Sequence, residues 1–414
     1  MDNMNETTRR TFLRQSGGAG LLALMPTFGL AGSLVLDSEL KVAVIGVGRQ
    51  GRSILAELLK IDGVEISAIC DTDEGRLASG SRRVADAKGY PDHVALLESE
   101  RGLQAVFVAT PTHLHRQIAE DALAAGLHVY CESPLASTAE DCLALLAAAG
   151  RSDRVFQTGM QGRSNPIYKL AHSFVRSGAI RDLVSLGAQY HKKTSWRTPA
   201  SDPAREKALN WRLDPEVSMG LVGELGTQQF DVVHWFSGLY PIKVAGAGSI
   251  RLHDDGREVK DTASCMLTFE DGLQMSYEAT LANSFGGQFE QIAGTMGTIK
   301  LAWTAGWLFK EADALTQGWE VYANRQQFHN EEGITLIADA TQLAKQGKLK
   351  EGVGLPQPPL YYALEDFVKS VTQGAPVVCS AEEGVRAAAV GIAAGRAVAQ
   401  GAEVEVDPAL LRRG

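Results

Sequence analysis

The feature that most restricts this chain is a run of six residues near its start. Gly46-Val47-Gly48-Arg49-Gln50-Gly51 follows a short run, Lys41–Ile45, that reads as a strand, and precedes Ile54, Leu55, Leu58 and Leu59 at helical spacing. This is G-x-G-x-x-G between a strand and a helix. Gly46 permits the tight turn, Gly48 lets backbone approach a diphosphate, and Gly51 allows close helix–strand packing. The diphosphate then lies at the positive end of the helix dipole, with Arg49 and Gln50 beside it. Glycine-rich turns are common, so the surroundings must decide. The next strand, Val64–Cys70, ends at Asp71, 20 residues after Gly51. A carboxylate there accepts hydrogen bonds from the adenosine ribose hydroxyls and repels a 2′-phosphate, which favours NAD. Arg76 lies near enough to pair with a phosphate and keeps NADP open.

Two further strands lead into polar loops. Ala105–Ala109 runs into Thr110-Pro111-Thr112-His113-Leu114-His115, and His128–Cys131 runs into Glu132-Ser133-Pro134-Leu135. In an open parallel sheet, ligands bind beyond the carboxyl ends of the strands. Thr110, Pro111, His113, His115, Glu132 and Ser133 are therefore candidate cofactor contacts. After Gly159 the pattern shifts to longer strands: Leu183–Tyr190, Ile242–Ile250, Ala263–Phe269, Gln274–Leu281, Gln288–Ala293 and Thr298–Trp303. Glu270-Asp271-Gly272 is a hairpin turn, and short turns mean antiparallel pairing. Helices are expected over Pro359–Thr372 and Ala381–Gln400, the second alanine-rich and suited to close helix–sheet packing.

Together, V-I-G-V-G-x-x-G, A-T-P-T-H-L-H at 109–115, C-E-S-P-L at 131–135 and G-E-L-G-T-Q-Q-F-D at 223–231 resemble the glucose–fructose oxidoreductase / inositol dehydrogenase / MocA family of sugar-related dehydrogenases. The resemblance covers Lys41 to Val406. It implies an α/β fold: a Rossmann domain followed by an α+β domain with a large, mostly antiparallel open sheet. The expected division is 1–36 signal and linker, 37–158 NAD(P)-binding domain, and 159–414 substrate and oligomerisation domain, its last helices packing back on the Rossmann side. It also implies NAD as cofactor, with NADP open, a carbohydrate substrate, and Gln161 near the nicotinamide.

The chain departs from the family where chemistry is expected. Relatives that oxidise a sugar hydroxyl carry Glu-Lys-Pro and Asp-x-Gly-x-His, whose lysine and histidine handle the hydroxyl proton. Here Ser133 stands in the lysine's place and Gln228 in the histidine's. A positioned base is worth ~10²–10⁴ in rate, so another group must act. His191 and Lys192, at the end of a strand that lines the cleft by analogy, are candidate acid–base groups. Glu224 is a candidate base or orienting carboxylate. Trp196 offers a ring to stack on, Arg197 a fork for carboxylate or hydroxyls, and Asp231 either a substrate contact or a helix brace. Three activities fit: net oxidation of a sugar, polyol or glycoside; a glycosidase cycling oxidation, elimination and reduction, as in the NAD-dependent glycosidases that also lack the lysine; and sugar binding without catalysis.

At 414 residues the chain exceeds one core. Its net charge of −9 argues against nucleic acid, which demands clustered Lys and Arg. The five cysteines, at 70, 131, 142, 265 and 379, form no disulfide framework and suit folding under reducing conditions. No metal-ligating spacing of His and Cys is present. Thr8-Arg9-Arg10-Thr11-Phe12-Leu13-Arg14 followed by a moderately apolar stretch to Leu36 is the twin-arginine export pattern, with Gly29-Leu30-Ala31 as a cleavage site. Pro26 and several glycines make that stretch a poor membrane span. The expectation is a periplasmic homo-oligomer, exported folded with its cofactor by the twin-arginine machinery.

Overall fold

Strand and helix alternate from the first described residue. The computed structural model describes residues 39–317, 320, 323–338 and 354–412; the export segment read over 8–36 lies outside them. The first half runs β1 (Leu40–Ile45), α1 (Arg49–Leu58), β2 (Val64–Cys70), α2 (Glu74–Ser81), β3 (Lys88–Tyr90), α3 (His93–Ser99), β4 (Ala105–Val108), α4 (His115–Ala124), β5 (His128–Glu132), α5 (Ala139–Arg151) and β6 (Phe156–Gly159). All pairings are parallel, in the order β3-β2-β1-β4-β5-β6. Val42, Val44, Val106 and Val108 are fully buried, because helices cover both faces of such a sheet. Side chains start the helices: Asp73 accepts from Arg76 N at 2.9 Å, and Thr138 caps α5 ahead of Glu140 and Asp141. Strand order reverses between β1 and β4, which opens a crevice above their carboxyl ends.

The second half continues α6 (Gln161–Ser164), α7 (Pro166–Arg176), β7 (Leu183–His191), α8 (Pro203–Leu209), α9 (Gly220–Ser237), β8 (Pro241–Ser249), β9 (Thr262–Phe269), β10 (Gln274–Thr280), β11 (Gln288–Gly294), β12 (Gly297–Leu301) and β13 (Gly306–Lys310). It ends β14 (Arg325–Gln327), β15 (Glu332–Thr335), α10 (Pro359–Gln373), α11 (Ala381–Gln400), β16 (Glu403–Glu405) and α12 (Pro408–Leu411). Ten strands pair as β14-β15-β13-β12-β11-β7-β10-β9-β8-β16. Every pairing is antiparallel except β10 with β7. The six strands read from sequence are present within two residues at either end; β13 to β16 are additions. β14 and β16 have three residues each, too short to show a period.

α9 and α11 cover the inner face of this sheet. They approach so closely that a Cβ on Gly391 would stand 2.2 Å from Thr227 Oγ1, so the alanine-rich helix packs on a helix as well as on strands. α10 returns to the first half. Phe367 lies 5.2 Å from the Phe107 ring and 5.8 Å from the Tyr130 ring, and Gln157 Nε2 donates to Ala363 O at 3.0 Å. All five cysteines are buried and unpaired. No helix among the described residues is long and apolar enough to cross a membrane.

Candidate active site

The glycine turn has the geometry its spacing demands. Gly46 has φ +88°, and a Cβ there would sit 2.8 Å from the Ala109 carbonyl carbon. A Cβ on Gly51 would sit 1.8 Å from Gly46 O. α1 starts after Gly48 with no side chain capping its first-turn N–H groups, the donors a diphosphate takes. Asp71 accepts from Val47 N at 2.9 Å and from Asp73 N at 2.9 Å, which ties the strand end to the glycine turn. Burial raises its pKa, against those bonds and nearby Arg76. Asp71 and Arg76 line a cleft of about 950 Å³ with Pro111, His113, Arg205 and Trp211. The second half closes that end through Arg205, whose Nε lies 2.5 Å from Asp73 Oδ2.

A second cavity, about 750 Å³, lies beyond β4 and β5. The first half contributes Gln50, Thr110, Thr112, His115, Glu132 and Ser133; α6 contributes Gln161. The end of β7 contributes Tyr190, His191 and Lys192, α9 contributes Glu224 and Gln228, and Arg212 and Trp303 complete the wall. Several of these groups lack partners within the protein. Thr110 Oγ1 and Ser133 Oγ are buried without a hydrogen bond, as is His113 Nδ1 in the adjoining cleft. Such atoms are rare in a folded protein and mark places a ligand satisfies. The uncapped helix start, the glycine cradle and these atoms form one track that fits a dinucleotide.

Two carboxyls face the cavity in different settings. Glu132 is 6% exposed and accepts from Gln50 Nε2 at 2.8 Å. Burial lifts its pKa to about 7, with the Gln50 and Ser133 N–H bonds opposing. Glu224 is tethered on both oxygens, accepting from Thr112 Oγ1 at 2.9 Å and from Met219 N at 3.2 Å. Burial raises its pKa too, and the charge of Arg212 pulls it down. The Arg212 guanidinium sits 4.4 Å from the centroid of the Trp211 ring.

Strand alternation sorts the β7 residues. His191 shares the face of Gln189: its Nδ1 lies 3.0 Å from Phe285 O, which Gln189 Nε2 also reaches at 3.0 Å. Tyr190 shares the face of buried Ala188 and Leu186. Burial raises its phenol, with Arg49 and Arg212 opposing. Tyr190 was missed as a candidate, although counting in twos from Leu186 and Ala188 finds it. Lys192 stands at the rim with no ion pair among the described residues. The amides of Gln161 and Gln228 likewise make no side-chain hydrogen bond there.

Some expected site residues lie elsewhere. Asp231 does not reach substrate: it is 1% exposed and takes both forks of Arg163, Nε to Oδ2 and Nη2 to Oδ1, each at 2.8 Å. Arg163 also pairs with Glu383, so this is a brace between α6, α9 and α11. Arg197 is engaged outside the cavity, 2.8 Å from Asp255 Oδ2 and 3.3 Å from Glu206 Oε1. Trp196 lies under the Arg212 guanidinium, 5.8 Å from its ring centroid, and its ring is spent there. His115 borders the cavity, yet its nitrogens face Pro134 O at 2.9 Å and Thr110 O at 3.0 Å. Burial lowers it to about 4 against the pull of those carbonyls, so this histidine is neutral and its single N–H serves one carbonyl or the other.

A doubly wound sheet with this turn, an acid at the second strand end and a polar cavity beyond β4 and β5 defines a dinucleotide-dependent enzyme. Residues 40–160 match the model for the oxidoreductase family's NAD-binding Rossmann fold, and 187–406 match its C-terminal alpha/beta domain. The chain belongs to the GFO/IDH/MocA oxidoreductase family, and its cofactor is NAD. It is 26% identical over 380 residues to inositol 2-dehydrogenase 1 of Saccharopolyspora erythraea, covering 89% of this chain and 96% of that one. It is 25% identical over 372 residues to myo-inositol 2-dehydrogenase of Thermotoga maritima, covering 89% and 99%. A levoglucosan dehydrogenase solved with NADH and levoglucosan superposes with TM-score 0.70 at 22% identity, over 89% of this chain and 100% of that chain.

Proposed function

We propose that this protein oxidises a hydroxyl-bearing carbon of a sugar, polyol or glycoside. Its relatives' names point to that substrate class. One observation carries the reading: the cavity joins the buried Glu132 carboxyl to a wall of unbonded amides and hydroxyls at the end of the dinucleotide track. Bound NAD supplies the hydride acceptor. Gly46, Gly48 and Gly51 let the backbone hold its diphosphate, Asp71 meets the ribose, and Thr110, Ser133 and Gln161 surround the far end. The missing lysine and histidine leave the hydroxyl proton to be handled, and Glu132 takes it. A carboxyl lifted to about 7 divides its time between acid and base near neutrality, which suits proton transfer. Glu224, locked by Thr112 and Met219, orients substrate hydroxyls together with Gln228 and Arg212. Tyr190 remains protonated at neutral pH and donates a hydrogen bond into the cavity.

The test is to release and identify the dinucleotide from purified protein, then follow NADH with a panel of sugars, cyclitols and glycosides. Net NADH from one of them is the expected result. Glycoside cleavage without net NADH would replace the reading with the oxidation–elimination–reduction cycle. Binding with neither would leave only a sugar-binding role. The export reading belongs to the same proposal, because the twin-arginine route carries folded proteins with cofactors in place. Arg9→Lys with Arg10→Lys is expected to hold the protein inside the cell, and unchanged export on fractionation would end that part.

A further inference from the structure

The β12–β13 hairpin carries a side chain that its turn does not call for. Ala302 N donates to Ala305 O at 2.8 Å, and Ala305 N to Ala302 O at 3.3 Å, leaving Trp303 and Thr304 as the two-residue loop. Trp303 has φ +60°, and Thr304 is not left-handed. A positive φ at the first loop residue is glycine's position in such hairpins, and a side chain there is strained. The surrounding structure holds the strained residue in place. Trp303 N donates to Tyr168 Oη at 3.2 Å, and Asn165 Nδ2 donates to Trp303 O at 2.6 Å. The Tyr168 and Trp303 rings stand nearly perpendicular, at 86° with centroids 6.3 Å apart.

That anchorage is itself buttressed. Tyr168 is fully buried and donates to Glu290, which is also fully buried. Gln229 Nε2 donates to the other Glu290 oxygen at 2.8 Å. α7, α9 and β11 thus converge on the backbone of one tryptophan. Trp303 is half-buried and lines the 750 Å³ cavity, the one tryptophan to do so among the described residues. The surrounding wall is polar: Gln161, Arg212, Glu224, Gln228 and Gln288.

A wide aromatic face among amides, a carboxylate and a guanidinium matches a ring sugar. A pyranose chair presents hydroxyls around its edge and a patch of C–H bonds on its face. The negative face of an indole attracts those polarised C–H bonds, while the amides and charges take the hydroxyls. We infer that Trp303 is the substrate platform of this cavity, held by Asn165 and the Tyr168–Glu290 pair, and that it selects cyclic over open-chain carbohydrates. This rests on the carbohydrate reading above and narrows it to ring-closed substrates, pyranoses and cyclitols among them. An open-chain polyol has no flat face to offer and gains little from the ring.

The backbone strain supplies a clean variant. Trp303→Gly removes the ring and places at φ +60° the residue that accepts it, so the hairpin is preserved; Trp303→Phe keeps an aromatic face. The NAD-loaded protein is titrated with methyl glucopyranosides, myo-inositol and sorbitol, following tryptophan fluorescence and steady-state rates. Cyclic ligands are expected to change wild-type fluorescence, and Trp303→Phe to lose that change while still binding. Trp303→Gly is expected to raise KM for the best cyclic substrate about tenfold, equivalent to ~1.4 kcal/mol, with little change in kcat and none in the weak response to sorbitol. An unaltered preference for cyclic over open-chain ligands in Trp303→Gly overturns the platform, as does a wild-type protein that binds no cyclic ligand. Fluorescence binding of a cyclic ligand without NADH formation upholds the platform and rejects the oxidoreductase reading. NADH formation indifferent to Trp303 does the reverse.

Discussion

The two ends of the ligand track are built in opposite ways. At the adenosine end, the glycine turn and Asp71 fall within one strand–helix–strand unit, Arg76 follows in α2, and the second half adds Arg205 and Trp211 to the rim of the cleft. At the substrate end, Gln50, Glu132, Tyr190, Glu224 and Trp303 arrive from different elements of both halves. Thr112 meets Glu224 across 112 positions and Tyr168 meets Glu290 across 122. The first end is fixed by geometry, since a side chain on Gly46 or Gly51 collides with backbone. The second tolerates exchange of its chemical groups while the scaffold stays put. Ser133 Oγ, buried without a hydrogen bond, is one such group on which the fold does not depend.

The sharpest test of this contrast is at Glu132. If the substrate end carries the proton chemistry, Glu132→Gln should lower kcat by about 10²–10⁴ and leave NAD affinity within a small factor. The wild-type rate should rise with pH through about 7, where Glu132 ionises, and the variant should lose that limb. A variant that keeps both rate and pH limb would return the role to Lys192 or Glu224.

Glu290 supports the same end from below and makes it sensitive to pH. Burial lifts its pKa from 4.5 to about 7, with Tyr168, Gln229 and Gln288 bonds opposing. A carboxyl raised on folding helps the fold fully below about 4.5, and that help is lost as pH climbs through about 7. The shift corresponds to about 3 kcal/mol. Glu290→Gln keeps the shape without the charge, so wild type should lose melting temperature relative to it between pH 5 and pH 8. Glu132 titrates in the same window in both proteins and cancels in the difference. Parallel melting profiles would show that Glu290 carries no such shift.

These two residues also mark what could be read in the sequence. The turn and the acid of the adenosine end were legible, because strand, glycines, helix and acid follow one another along the chain; Arg205 and Trp211, which line that cleft from more than 130 positions away, were not. The loops after β4 and β5 were legible as cavity borders. Tyr190 was hidden behind the more reactive-looking His191, though period-two counting separates them. Arg197 was misplaced because sequence shows a charge and not its partner, which is Asp255 with Glu206; for Asp231, left between substrate contact and helix brace, Arg163 decides for the brace. Trp196 was assigned the stacking role that the cavity gives to Trp303, 107 positions later. Nothing local distinguishes the two tryptophans, and both have positive φ. Only the pairing of β12 with β13 brings the second to the cavity.

The adenosine end offers the reciprocal perturbation. Gly51→Ala drives a Cβ into Gly46 O, and overpacking of this kind costs about 1–3 kcal/mol. Because the collision lies in the diphosphate turn, NAD affinity should fall with stability, and substrate KM measured at saturating NAD should hold. Unchanged affinity by calorimetry would mean that the turn widens freely. The weakest link at this end is the Arg205–Asp73 pair that closes the cleft from above. Arg205 is 48% exposed on its side chain while Asp73 is 10% exposed, and solvent screening of the arginine keeps such a pair near the surface value of about 0–1 kcal/mol. Arg205→Ala should therefore leave melting unchanged and raise the NAD dissociation rate by no more than about fivefold, more at low salt than at high salt, since ions screen such a pair. A loss of affinity beyond that range would mean that the arginine touches the cofactor itself, and the adenosine end would then depend on the second half as heavily as the substrate end does.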